Sequence, residues 1–160
     1  MSDSPVGTVV AVCMGRGGIP KHPVDGARVG TLGLEGDRHR YVLHGGADRA
    51  VCLFSTSDYA SLRRDGVACD GVGRFGENLL IDGLDFGELR PGMRLAVGPE
   101  LQLEIHDVRE PCKTLQKLDR RFPALIEGRS GFLCRVLEGG WVAPSQAVQL
   151  LGSELGSASG

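Results

Sequence analysis

Leu101-Gln102-Leu103-Glu104-Ile105-His106-Asp107-Val108, continuing into Arg109-Glu110-Pro111-Cys112-Lys113-Thr114-Leu115, is the stretch that decides the fold and frames the chemistry. Apolar residues at 101, 103 and 105 alternate with polar ones, the period of a strand with one buried face. Pro111 has no amide proton to give to a ladder, so the strand stops before it. Cys112 then stands just past a strand end, between Arg109 and Lys113. Nearby cations favour a thiolate over a thiol, and the thiolate is the form that attacks and that ligates metals. The competing reading is a small apolar filler without reactivity.

Working outward, the same short apolar runs recur on both sides. Gly7–Cys13, Val29–Leu34, Ala50–Phe54, Leu79–Ile81, Leu95–Val97, Gly131–Leu137 and Gln146–Leu151 read as strands, separated by turns drawn from 25 glycines. Ser55 or Ser57 caps a helix through Asp58–Arg64 that Gly66 ends. Thr114–Leu118 and Pro123–Glu127 read as short helices, and Gly139-Gly140 as a turn. Pro20 and Pro23 forbid a helix over Ile19–Val24, which is expected to be extended with Lys21 and His22 facing solvent. The class is therefore mainly β, a barrel or sandwich with a few short helices. A length of 160 residues predicts one domain over 1–160, with a core at about 7–151 and a flexible tail at 152–160.

Net charge is −2 with both signs interspersed, which excludes a nucleic-acid footprint. Any anionic ligand must be met by a local cluster of Lys and Arg. No apolar run nears the ~18 residues that span a membrane, and Met1–Val6 lacks the plan of a signal peptide. Five cysteines without a C-x-x-C pair point away from a disulfide framework or a four-cysteine zinc site, so a cytoplasmic location is expected. Cys13, Cys52 and Cys134 lie in apolar runs and read as core thiols, whereas Cys69 falls in a polar, glycine-rich loop as an incidental residue.

The densest polar patch is Glu35 to Arg49, where two histidines, three acids and three arginines share fifteen residues with a double glycine. Binding residues concentrate on loops held by a scaffold, and Gly-Gly lets backbone approach a ligand; a merely solvated loop is the alternative. His39 and His44 with Asp37 or Asp48 make a zinc site conceivable, but no ligand spacing supports it. Glu77-Asn78, after Gly76, sit where a loop becomes a strand. They can hydrogen-bond a ligand or simply form a turn.

Five motifs then occur in register. They are Gly33-Leu-Glu-Gly-Asp-Arg-His39, His44-Gly-Gly-Ala-Asp-Arg-Ala-Val51, Phe75-Gly-Glu-Asn-Leu79 with Gly83-Leu84, Arg109-Glu-Pro-Cys112, and Gly131-Phe132 with Arg135-Val-Leu137. Together they resemble the MOSC domain, named for the C-terminal part of molybdenum-cofactor sulfurases, from about Pro20 to Leu151. The resemblance implies a MOSC-type β-barrel and a role with the molybdenum cofactor (molybdopterin), with Cys112 matching the family's proposed molybdenum-ligating or sulfur-carrying residue. It also implies reduction of N-hydroxylated compounds as one activity, and persulfide transfer for metal–sulfur cofactor assembly as another. A non-catalytic cofactor-binding module is a third reading.

As a stand-alone short form, the chain has no region expected to hold pyridoxal phosphate. A small-molecule substrate or cofactor is the expected partner, with an external electron donor or a cysteine desulfurase. Trp141–Gln146 departs from the Gly-Asp turn often found in the family.

Chemistry sharpens the candidates. Arg38, Arg49, Arg109 and Lys113 can meet the cofactor's phosphate, and Arg can fork onto two of its oxygens. Asp37, Glu77 or Asn78 can accept from a pterin edge. A thiolate at Cys112 is a soft ligand for molybdenum. His39 or His44 can donate a proton near neutral pH. All of these are expected to gather at the mouth of the barrel.

Overall fold

The structure is a computed structural model that describes residues 6–15, 19–37, 47–110 and 113–153. Its strands, in chain order, are β1 (Val6–Met14), β2 (His22–Val24), β3 (Ala27–Gly30), β4 (Gly33–Leu34), β5 (Val51–Ser55), β6 (Leu79–Asp82), β7 (Met93–Val97), β8 (Leu101–Val108), β9 (Phe132–Glu138), β10 (Gly140–Val142) and β11 (Ala147–Ser153). Helix α1 (Thr56–Arg64) follows β5. Single 3-10 turns occur at Ala47–Arg49, Phe86–Glu88, Lys113–Lys117 and Ala124–Ile126.

The sheet runs β11-β7-β8-β9-β5-β6-β1, and β1 pairs back onto β11, so seven strands close a barrel. Closure removes the free edges that an open sheet would expose. β2 hangs on the end of β1, and β10-β3-β4 form a small second sheet. One barrel pair, β5 with β6, is parallel. A parallel pair needs a crossover, and α1 supplies it. Ser55 caps that helix, its hydroxyl accepting from Asp58 N at 3.0 Å.

Strand alternation sorts two cores. Val51, Leu53, Leu79, Ile81, Leu95, Leu103 and Ile105 point into the barrel and are buried. On the outside of the β1–β5–β6 wall, Ala11, Phe54 and Leu80 pack under Tyr59, Leu62, Phe75, Leu115, Phe122 and Ile126. The Phe54 and Phe75 rings stack at 4.8 Å, and Tyr59 meets both edge-on at 5.2 and 4.9 Å. Burying each such side chain contributes about 1.5–3 kcal/mol, so the irregular segment 67–75 and the excursion from β8 to β9 are held by apolar contact with the wall.

Two expectations are corrected. Cys69 is fully buried in this outer core, because its loop folds over Leu62 and Tyr59. Gly139-Gly140 does not simply turn: Gly140 opens β10, where an added Cβ would stand 2.4 Å from Glu100 Cβ. Glycine there serves close strand approach.

Gly131 illustrates how tightly the wall is fitted. Its φ is +86°, and a Cβ would lie 2.0 Å from Leu53 O. We expect Gly131→Ala to cost about 1–3 kcal/mol, from left-handed strain with added collision. A urea midpoint unchanged from wild type would refute this.

Candidate functional site

The described candidates meet where β1 ends and β5 and β6 begin. Asn78 stands one residue before β6, and its side-chain amide extends the ladder beyond the strand. Asn78 Oδ1 accepts from Cys52 N at 2.9 Å, and Asn78 Nδ2 donates to Cys13 O at 3.2 Å. Asn78 backbone bonds the same neighbours, its N donating to Cys52 O and its O accepting from Cys13 N. Aspartate at this position would lack the donor and leucine would lack both functions.

Asn78 Nδ2 also reaches Asp37 Oδ2 at 2.9 Å, bringing the root of the 35–49 loop onto the barrel wall. Asp37 Oδ1 accepts from Gly15 N at 2.9 Å, and Asp37 Oδ2 pairs with Lys21 Nζ at 2.7 Å. Both side chains are buried, at 6% exposure for Lys21 and 2% for Asp37. Lys21 therefore does not face solvent, which corrects the expectation; its neighbour His22 does. A lysine this buried is retained by its carboxylate partner.

Glu77 is wholly buried. Its Oε2 accepts from Tyr59 Oη at 2.7 Å and Gly73 N at 2.9 Å, and its Oε1 from Phe75 N at 3.2 Å. Tyr59 Oη in turn accepts from Arg74 N at 2.9 Å. Burial raises the Glu77 pKa above its ordinary value, against the lowering effect of the Tyr59 bond, the backbone amides and Arg109. Glu77 and Asn78, expected to offer acceptors to a pterin edge, are thus engaged by the chain's own donors. They hold the 73–78 loop.

Arg109 begins beyond β8, its N donating to Gly131 O at 3.0 Å and its O accepting from Ser130 Oγ. The guanidinium turns back along the outer wall, and its charge acts on both the Cys52 thiol and the Glu77 carboxylate. Its Nη1 is buried without a hydrogen-bond partner among the described residues. A Cβ on Gly76, whose φ is +80°, would come within 3.6 Å of Nη2. The cluster thus lies along the end and outer face of the barrel wall and not within its lumen.

Four cysteines, Cys13, Cys52, Cys69 and Cys134, are free and buried. Burial pushes the Cys13 thiol up to about 12, and raises Cys52, Cys69 and Cys134 likewise. None of these is an available thiolate at neutral pH. Cys112, His39, His44 and Arg38 lie outside the described residues, as does the Cys112 metal assignment. Lys113 opens the 3-10 turn that follows. Arg49 ends the Ala47–Arg49 turn, where Asp48 pairs with Arg135 Nη2 at 2.8 Å and binds that turn to β9.

Among the described residues no group of three or more His, Cys, Asp or Glu is placed to hold a metal. Among them, too, no helix is long and apolar enough to cross a membrane. Lys21 and Tyr59 are the members of the cluster that sequence reasoning missed. The prolines on either side of Lys21 were the available signal, since they fix the backbone around one cation; Tyr59 carried none.

Comparison with known proteins agrees with this architecture. The family model of the MOSC domain matches residues 40–149. Protein YiiM of Escherichia coli is 32% identical over 145 residues, 83% of this chain and 63% of that protein. A protein named reductase from Gibberella moniliformis is 30% identical over 131 residues, 76% of this chain and 23% of that protein. The chain thus spans less than two thirds of the length of these relatives. The crystal structure of YiiM from Geobacillus stearothermophilus superposes with a TM-score of 0.75 at 26% identity, over 91% of this chain and 75% of that one. A closed barrel with Asn78 and Glu77 pinned at the start of β6, and a family match across more than half of the residues, lead to one conclusion: the chain belongs to the MOSC domain family.

Proposed function

We propose that this protein binds the molybdenum cofactor, with Cys112 as the molybdenum ligand and N-hydroxylated compounds as substrates. The observation that carries the reading is Arg109: a guanidinium with a buried Nη1 that has no hydrogen-bond partner among the described residues, three residues ahead of Cys112. A buried donor without an acceptor costs about 1–3 kcal/mol, and an anionic ligand oxygen would recover it. Such a donor fits the phosphate of a pterin cofactor. The buried state of the four other cysteines supports assigning the sulfur chemistry to Cys112.

In this reading Arg109 and Lys113 meet the phosphate, joined by Arg38 and Arg49 of the polar loop. Asp37 roots that loop through Lys21 and Asn78. Glu77 keeps Gly73–Phe75 in place beside Arg109. His39 or His44 would supply one of the two protons that reductive cleavage of an N–O bond to amine and water consumes, the second coming from solvent. When bound, the cofactor would supply two-electron redox chemistry at molybdenum. In this reading its electrons would come from an external reductase. One relative, of which the chain covers 23%, carries the name reductase, in keeping with a reducing role.

The second reading makes Cys112 a persulfide carrier that hands sulfur on by thiolate exchange. The same cation-flanked cysteine favours it, with a cysteine desulfurase as sulfur donor.

Metal analysis tests the first reading. Protein expressed in a cofactor-producing host is expected to hold molybdenum, and Cys112→Ser to hold at least about tenfold less, the loss of one soft ligand. Equal molybdenum in both would end the ligand role. One added sulfur on Cys112 by mass spectrometry, in a metal-free preparation, would favour the carrier.

A further inference from the structure

Arg109 stands at a narrow neck. β8 and β9 last pair at Val108 and Phe132, and the chain departs from the barrel at Arg109 and returns at Gly131. Two bonds close the neck. Arg109 N donates to Gly131 O at 3.0 Å, and Ser130 Oγ donates to Arg109 O. A side-chain hydroxyl thus meets Arg109 O where an antiparallel ladder ordinarily supplies a backbone amide.

Ser130 is itself firmly placed. It is 2% exposed, and both of its neighbours have little freedom. Gly131 has a φ of +86°, and a Cβ there would lie 2.0 Å from Leu53 O on β5. Arg129 reaches across to the last turn of α1, its Nη1 donating to Asp65 Oδ2 at 2.7 Å and to Ser61 Oγ at 3.0 Å. Its Nη2 donates to Leu125 O, and its N to Ile126 O at 2.8 Å. Asp65, the C-cap of α1, holds the earlier limb of the excursion as well, because its O accepts from Arg121 Nη1 at 2.9 Å. An isolated surface ion pair contributes little to stability, so the worth of the Asp65 contacts lies in geometry.

The neck matters because of the side chain it aims. The Arg109 guanidinium passes close to Gly76, and its buried Nη1 has no hydrogen-bond partner among the described residues. Such a donor gains from an anion only at hydrogen-bond distance and angle, so affinity depends on where the base of the side chain is held. The excursion as a whole does not depend on the Ser130 hydroxyl: Leu115, Phe122 and Ile126 seat it in the outer core.

We propose that Ser130 is a positioning residue for the anion that Arg109 receives, with Asp65 and Arg129 as the frame that holds it. The anion is the one assigned above to the cofactor's phosphate, so this inference rests on that reading.

Sulfate, whose charge does not change near neutral pH, is the probe for the cofactor-free full chain. Binding is followed by 15N–1H NMR, including the Arg109 side-chain Nε–H signal. Wild type is expected to bind sulfate saturably, and Arg109→Gln to lose that binding. Ser130→Ala is expected to bind at least about threefold more weakly, the effect of one ordinary hydrogen bond. Its Arg109 Nε–H signal is expected to be displaced before any sulfate is added. In the Arg109→Gln background Ser130→Ala is expected to change nothing further, which a merely structural role would not produce. Asp65→Arg, which sets a like charge against Arg129 at a half-exposed position, is expected to weaken sulfate and displace the same signal, and serves should Ser130→Ala not fold. Sulfate bound by these variants as by wild type, or an undisplaced Arg109 signal, would overturn the proposal and leave the anion reading standing. No saturable sulfate binding, or equal binding by wild type and Arg109→Gln, would sink the anion reading and this inference with it.

Discussion

Glu77→Leu is expected to cost at least about 3 kcal/mol of folding free energy, and Glu77→Gln substantially less. Leucine is close in size but leaves Tyr59 Oη, Gly73 N and Phe75 N without an acceptor in a site with no exposure. Each buried donor left unsatisfied costs about 1–3 kcal/mol, so the three losses reach that figure even at the lower bound. Glutamine keeps one acceptor oxygen for Tyr59 and Gly73 and sacrifices only the longer Phe75 contact. Chemical denaturation of the three proteins checks the order, and a leucine variant within 1 kcal/mol of wild type would refute it.

The two variants also separate charge from shape. The folded pKa of Glu77 lies above its unfolded value of 4.5, so the folded state binds more protons between the two. Its contribution is fully present below pH 4.5 and is lost as pH rises through the folded value. The stability advantage of wild type over Glu77→Gln should therefore shrink as pH is raised from 4.5. An advantage that grew with pH would mean that the Tyr59, amide and Arg109 contacts outweigh desolvation.

The barrel strands were legible because each buries one face. Leu101–Val108 was read with the bounds of β8, and its buried positions 101, 103 and 105 are the apolar ones. Ser55 was one of two hydroxyls expected to cap α1, and geometry selects it because its oxygen reaches Asp58 N. The outer core was not legible. Val67, Cys69, Phe75 and Phe122 come from segments with no period, and burial there depends on a wall assembled from β1, β5 and β6. Local composition made the Cys69 loop polar; the apolar wall beneath it decided otherwise.

The candidate site divides along the same line. Asp37, Glu77, Asn78 and Arg109 were named from residue type, and the structure brings Asp37 onto Asn78 and Arg109 toward Glu77. What residue type cannot convey is which atoms remain for a ligand. The Glu77 and Asn78 oxygens accept from backbone amides and Tyr59, whereas Arg109 Nη1 has no hydrogen-bond partner among the described residues. Directional information of this kind exists only once distant segments have met.

Lys21→Met is expected to cost about 3–5 kcal/mol, the usual loss when one member of a buried ion pair is removed. Methionine keeps the length and apolar stem of lysine, so packing changes little and the effect isolates the charge. Asp37 would keep Asn78 Nδ2 and Gly15 N as donors but lose the Lys21 ammonium at a side chain 2% exposed. The double variant Lys21→Met/Asp37→Leu should be less destabilised than the sum of its singles, because no lone charge remains buried. Additive losses, or a Lys21→Met variant within 1 kcal/mol of wild type, would show that the pair is weakly coupled. Asp37 adjoins Arg38 and the His39–His44 segment in sequence, so the charge on Lys21 bears on the polar loop as well as on folding. Asn78 Nδ2 also joins the root of that loop to the wall through Asp37, and Asn78→Ala in the Lys21→Met background should lose more stability than Asn78→Ala alone.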